Sequence, residues 1–154
     1  FLQSFIFNQL EINAVIHVMI TPLYIFLLPF DRSVNSLMFI SLLIGLSVDA
    51  TSNTFGLHTS SLLIFAYLRP VIFRVFSPRD GYDVLKTPSI FDMGNRWFIS
   101  TFSILLISHH LWFFTLEAFS FSESLLILQK TLFSSFISFV VCVILQTIFI
   151  KRTV

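Results

Sequence analysis

Asp49 and His58 sit nine residues apart, on either side of a short polar turn that contains Asn53 and Gly56. A carboxylate facing an imidazole can move a proton, and the same pair can simply hydrogen-bond across the turn. A second group lies in one later apolar run, where Ser103, His110 and Glu117 recur every seventh residue and share one helix face. These three would make a polar relay, although they span more helix turns than one metal ion could bridge. His109 and His110 are adjacent, so on a helix they point about 100° apart and do not chelate a single ion comfortably. The plainer reading of that face is a packed, hydrogen-bonded surface.

Arg69, followed by Pro70, interrupts another apolar run. An arginine at a bilayer centre costs on the order of 3 kcal/mol. Arg69 falls roughly 11 residues, or about 16 Å, past the start of its run, so it is expected to snorkel to the far interface or to pair with an acid such as Asp31. His17 reads as a satisfied interior histidine. The chain has no phosphate-binding loop, no dinucleotide fingerprint, no GxSxG and no HExxH. Catalytic residues, metal ligands and cofactors are therefore expected to be absent. An intramembrane enzyme would have only His110, Glu117 and Asp49 as an acid–base set.

The elements that must position these residues are apolar. Of 154 residues, 56% are hydrophobic and only 11% charged, with a mean hydropathy of +0.91, whereas a soluble domain carries about 25% charged residues. Twenty-one phenylalanines point to lipid rather than water as the solvent. A net charge of +1 gives no basic surface for nucleic acid. The single cysteine, Cys142, lies deep in an apolar run and can form no internal disulfide.

The expected fold is all-α: a polytopic bundle of transmembrane helices forming one integral membrane domain over residues 1–154. Residues 1–7 read as the end of a truncated first span. Five further spans follow at about 14–30, 34–49, 58–76, 95–116 and 124–150, with a loop at 77–93. Pro22 and Pro29 suit a kinked second span. Thr59 or Ser60 is expected to cap the fourth. Trp97 and Trp112 bracket a membrane thickness in the fifth. Ser41, Gly45 and Asp49 share one helix face, as do Ser134, Ser138, Cys142 and Gln146 in the last run. Stripes of small residues let helices approach closely. Asp49 is read either as the cap of its own turn or as part of a rigid hairpin at the centre of a membrane scaffold. Arg74, Arg79, Lys86 and Arg96 cluster around the loop, and Lys151 and Arg152 close the chain. Both regions are expected on the cytoplasmic side, with the Asn53 turn outside.

Several motifs together resemble a known family. They are Leu-Leu-Pro-Phe-Asp at 27–31, Gly-Leu-Ser-Val-Asp at 45–49 and Phe-Gly-Leu-His at 55–58. Ala-Tyr-Leu-Arg-Pro at 66–70, Ser-Pro-Arg-Asp-Gly-Tyr at 77–82, Arg-Trp-Phe at 96–98, His109-His110 and Leu-Glu-Ala-Phe-Ser-Phe at 116–121 continue the series. Their order and spacing resemble MreD, the rod shape-determining membrane proteins. The resemblance covers nearly the whole chain, apart from a complete first span. It implies a non-catalytic protein of the bacterial inner membrane that works with MreC and, through it, with the RodA glycosyltransferase, a class B penicillin-binding protein and the MreB filament. It also implies a six-helix fold similar to the substrate-binding subunits of vitamin transporters, and so the alternative of a small-molecule binding subunit. Structural or partner contacts are then expected from the Ser41, Gly45 and Asp49 face, from Asn53, Gly56 and His58, from Arg69 and Pro70, from Arg79 and Tyr82 in the loop, and from His110 and Glu117.

Overall fold

The computed structural model describes residues 17–83, 85–119 and 124–150. The expected stub at 1–7 and the basic pair Lys151-Arg152 lie outside the described residues. Six helices are formed: α1 (Thr21–Leu27), α2 (Val34–Ser52), α3 (Leu57–Val75), α4 (Ile90–Met93), α5 (Asn95–Ala118) and α6 (Ser124–Phe149). No strand occurs among the described residues.

Four of these correspond to expected runs, and one expected run breaks. The kinked span over 14–30 does not form. Its described part is irregular at residues 17–20 and then enters α1, which is seven residues and thus about 10 Å long. Pro22 lies in the first turn of α1, where a missing N–H is harmless, so it starts the helix instead of kinking it. At the other end Leu28 is extended (φ −59°, ψ 148°), as the residue before Pro29 must be to avoid the proline ring. Two prolines seven residues apart therefore confine the helix between them.

The long helices follow from apolar runs closed by local stop signals, and α3 continues across the Arg69-Pro70 interruption. Ser33 caps α2 by accepting a hydrogen bond from the Ser36 amide (3.3 Å), and Asn53 ends it in the left-handed conformation (φ 57°). Pro70 sits inside α3, which continues through it to Val75. The short α4 forms within the expected 77–93 loop.

In space α2 packs on α3, α3 on α5 and α5 on α6, while α1 lies against α2, α3 and α5. Helices α3 and α5 run antiparallel, since Phe73 meets Trp97 at one end (5.1 Å between ring centroids) and His58 meets Phe113 at the other (4.8 Å). The core is aromatic. Phe26 of α1 packs edge-on against Phe73, Phe98 and Phe102 at 5.0–5.4 Å, the T-shaped geometry that ring quadrupoles favour.

The polarity of α6 is inverted relative to a helix in water. Its buried face is Thr131, Ser134, Ser138, Cys142 and Gln146, and its exposed face includes Leu132, Phe133, Phe136, Ile144 and Ile148. A water-facing surface would not carry that row of large apolar side chains. Helices α2, α5 and α6 are each long and apolar enough to cross a membrane. The protein is an all-helical, membrane-embedded bundle with three such helices among the described residues. Helix α3 matches α2 in length but carries Arg69 and Arg74. Arg32, Arg74, Arg79, Lys86 and Arg96 all fall at the end of the bundle where α2 and α5 begin and α3 stops.

Candidate functional site

Two interior charges and one row of hydroxyls organise the bundle, and each closes a gap in backbone hydrogen bonding. Asp49 lies in the last turn of α2, 7% exposed. Its Oδ1 accepts from the Thr54 hydroxyl (2.6 Å) and the His58 amide (3.0 Å), and its Oδ2 accepts from the Thr59 amide (2.9 Å) and hydroxyl (2.6 Å). His58 Nδ1 lies 3.2 Å from Oδ1 and 2.9 Å from the Thr54 oxygen. Because the Thr54 proton goes to the carboxylate, Nδ1 carries the proton and shares it between these two acceptors.

The amides of His58 and Thr59 are among the first of α3, which have no partner within their own helix. Neither Thr59 nor Ser60 caps this helix. The N-cap is Gly56 (φ 91°), which has no side chain to give. The carboxylate that caps α3 comes from the preceding helix, so Asp49 caps α3 and not its own turn. Each such bond to a charged acceptor is worth about 1.5–3 kcal/mol, and the carboxylate also faces the positive end of the helix dipole.

The α2–α3 contact that makes this reach possible depends on Gly45. A Cβ placed there would stand 2.5 Å from Thr59 Cα and 3.0 Å from its Oγ1. Ser41 and Gly45 are buried on the same face, and the Ser41 hydroxyl has no hydrogen-bond partner among the described residues. The turn itself is tight: Asn53, Phe55 and Gly56 all have positive φ.

Arg69 is the largest fully buried side chain, at 1% exposure. It neither snorkels to water nor pairs with Asp31. Its Nε donates to the Phe26 carbonyl (3.2 Å), and Nη2 donates to the carbonyls of Leu28 and, at 3.4 Å, Pro29. These are orphan acceptors of the end of α1, so the guanidinium serves as the missing C-cap of a helix that Pro29 has cut short. The side chain also lies over the Phe73 ring, 4.6 Å from its centroid.

The third element is the α6 stripe. Ser134 Oγ accepts from the His17 amide (3.1 Å), and Ser138 Oγ accepts from the Met19 amide (2.9 Å). Both amides belong to the irregular segment before α1. Ser138 then donates to His110 Nε2 (3.2 Å), and His110 Nδ1–H donates to the Leu106 carbonyl (2.9 Å). Gln146 Oε1 accepts from the Ile90 amide (3.1 Å). Cys142, between them, is fully buried in the aromatic core.

The other expected residues are dispersed. Glu117 is at the surface and pairs with Lys130 (3.2 Å), so Ser103, His110 and Glu117 form no relay. His109 is buried edge-on to Phe65 (6.2 Å) and makes no hydrogen bond among the described residues. Arg79 is exposed. Tyr82 folds back from the loop, donating to the Phe73 carbonyl (2.5 Å), accepting from Trp97 Nε1 (3.2 Å) and stacking on Phe30 at 4.4 Å. Desolvation holds its phenol above the usual range, against the opposing effect of the Trp97 bond, so it stays a neutral hydrogen-bonding group.

Thr54, Thr59, Ser134 and Ser138 carry as much of the network as any residue singled out from the sequence. Hydroxyls at four-residue steps were legible as a packing stripe, but nothing in sequence marked which backbone amides they would meet. Among the described residues, no three His, Cys, Asp or Glu side chains are grouped to hold a metal ion. Grooves among the described residues lie between α5 and α6 around Ser103 and Ser135, between α1 and α6 around Gln146, and around Arg69, and these are not lined by His17, Asp49 or His58. No family model, curated protein or solved structure matches this chain.

Proposed function

We propose that the protein is a non-catalytic membrane scaffold of the MreD kind, which binds MreC and through it regulates lateral peptidoglycan synthesis and cell shape. The observation that carries this reading is the Asp49 knot. The two motifs nearest the centre of the resemblance, 45–49 and 55–58, are the two halves of one hydrogen-bonded hairpin. Its carboxylate is fully committed to protein donors, an arrangement suited to rigidity rather than to proton transfer. A scaffold needs a fixed surface, and the exposed apolar faces of α2, α5 and α6 offer partner helices an extended one.

In this reading the protein lies in the bacterial inner membrane, with the basic loop and C-terminus cytoplasmic and the Asn53 turn outside. The concentration of arginines at one end of the bundle supports that orientation.

The test is co-purification. Gly45→Leu would force α2 off α3 and should abolish recovery of MreC with this protein at matched expression. Unchanged recovery would count against the scaffold. Orientation is tested separately by Phe55→Cys in a Cys142→Ser background, Phe55 being 95% exposed on the turn. Labelling by an impermeant thiol reagent from outside is expected, and labelling only from inside would overturn the topology.

A further inference from the structure

At the basic end of the bundle, a groove of about 260 Å³ opens between the start of α2 and the end of α3. Arg32, Arg69, Arg74, Ser77, Tyr82 and Phe30 line it. Three guanidinium groups thus share one concavity, and no carboxylate lines it. The Lys130–Glu117 ion pair and the Asp49–His58 contact lie elsewhere. Arg32 and Arg74 are exposed and form no ion pair among the described residues. Arg69 directs Nε and Nη2 to carbonyls, which leaves Nη1 without a bond among those residues. Three like charges gathered at a low-dielectric surface repel one another unless an anion joins them.

We propose that this groove is a phosphate site, and that the headgroup of a net-anionic membrane phospholipid supplies the phosphate. Guanidinium forks match phosphate oxygens in a bidentate manner, better than the point charge of lysine does. The groove lies where the helices end, beside Tyr82 and Trp97, two residue types that favour headgroup level. Basic pockets between helix ends on the cytoplasmic side are a recurrent way to hold anionic lipid. Val71 and Val75 are exposed on the same helix, next to the groove-lining Pro70 and Arg74, and would carry the acyl chains. The site is independent of the scaffold reading, since it requires only that the chain be embedded in a membrane.

The test compares the wild type with the double variant Arg32→Gln/Arg74→Gln, both purified in detergent. Thermal unfolding is followed by the reaction of Cys142 with a fluorogenic maleimide. The double variant is expected to unfold at or slightly above the wild-type temperature without lipid, because neither side chain makes a structural bond among the described residues and removing two like charges relieves repulsion. Phosphatidylglycerol should raise the wild-type midpoint saturably, and phosphatidylcholine should not. The half-saturating concentration should rise about thirtyfold in the double variant, five- to sixfold for each charge removed. The control Arg79→Gln/Lys86→Gln removes the same charge outside the groove and should keep the wild-type response. Saturable protection by inorganic phosphate alone, lost in Arg32→Gln/Arg74→Gln, would support the site and assign it to a soluble anion. Equal loss of response in both double variants, or no difference between wild type and Arg32→Gln/Arg74→Gln with either ligand, would overturn the proposal.

Discussion

Helix α2 packs directly against α3 at Gly45, and adding one methyl group there tests the whole hairpin. In Gly45→Ala the new Cβ would lie 2.5 Å from Thr59 Cα and 3.0 Å from Thr59 Oγ1, whereas ordinary contact begins near 3.4 Å. The first atom is backbone, so no rotamer change relieves the clash. The helices must part by about 1 Å in a close-packed region. Overpacking of this kind costs about 1–3 kcal/mol. Thr59 also supplies both bonds to Asp49 Oδ2, at 2.9 and 2.6 Å, and parting the helices stretches both. Alanine's better helix propensity returns up to about 1 kcal/mol, which the stretched Asp49 bonds offset at about 1 kcal/mol, so the net loss is about 1–3 kcal/mol, or a midpoint lowered by about 3–10 °C. The single cysteine gives the assay, because Cys142 is fully buried and reacts with a maleimide only once the core opens. Gly56→Ala is the informative contrast: its Cβ meets nothing within 4 Å, but φ is 91°, so its cost is local strain of about 1–2 kcal/mol. A Gly45→Ala protein melting at or above the wild-type temperature would refute the packing account.

Three further perturbations follow from the same network. Asp49→Asn turns an acceptor-only group into one that presents an NH₂ to the donors of His58 or Thr59, and should cost about 2–4 kcal/mol; a melting midpoint within error of wild type would exclude the cap. Arg69→Met strips the Phe26, Leu28 and Pro29 carbonyls of their donor and should cost about 3 kcal/mol or more, with faster amide exchange in α1 before the rest of the bundle; unchanged exchange in α1 would remove Arg69 as its cap. Lys130→Ala breaks an ion pair at the bundle surface, and should change stability by less than about 1 kcal/mol; a larger loss would mean that the Glu117 pair does more than its geometry indicates.

The long helices were legible because apolar runs bounded by polar turns leave little choice. Expected and observed bounds of α2, α3, α5 and α6 differ by a few residues at most. The small-residue faces at Ser41/Gly45/Asp49 and Ser134/Ser138/Cys142/Gln146 were legible too, and all of these residues are buried. Partners were another matter. Asp31 was the obvious match for Arg69 because sequence displays side chains, but the groups Arg69 meets are carbonyls, which every residue owns. Their need for a donor arose only from α1 being short, and that follows from reading Pro22 and Pro29 as the two ends of one helix. Seven-residue spacing groups His110 with Glu117, but spacing holds along one helix and says nothing of the neighbouring helix that delivers Ser138.

Polar side chains in this bundle are best understood as complements to breaks in the backbone. Apart from the loop between α3 and α5, the chain departs from helix at residues 17–20, at 28–33 and at 53–56. Buried away from water, each unpaired N–H or C=O costs up to several kcal/mol, so every departure inside the bundle must be answered by a group from elsewhere. Amides in the first break are answered by Ser134 and Ser138, carbonyls in the second by Arg69, and the helix start after the third by Asp49. Each answering residue lies on a different element from the break it closes, and the bond spans 117 and 119 residues for the serines and 9 to 10 for Asp49. Dispersion packing alone would let apolar helices slide past one another, since lipid and leucine are equally apolar. Bonds between a break and a distant side chain admit one register only. The few polar residues of an otherwise greasy chain thereby determine which of many similar helix packings the protein adopts.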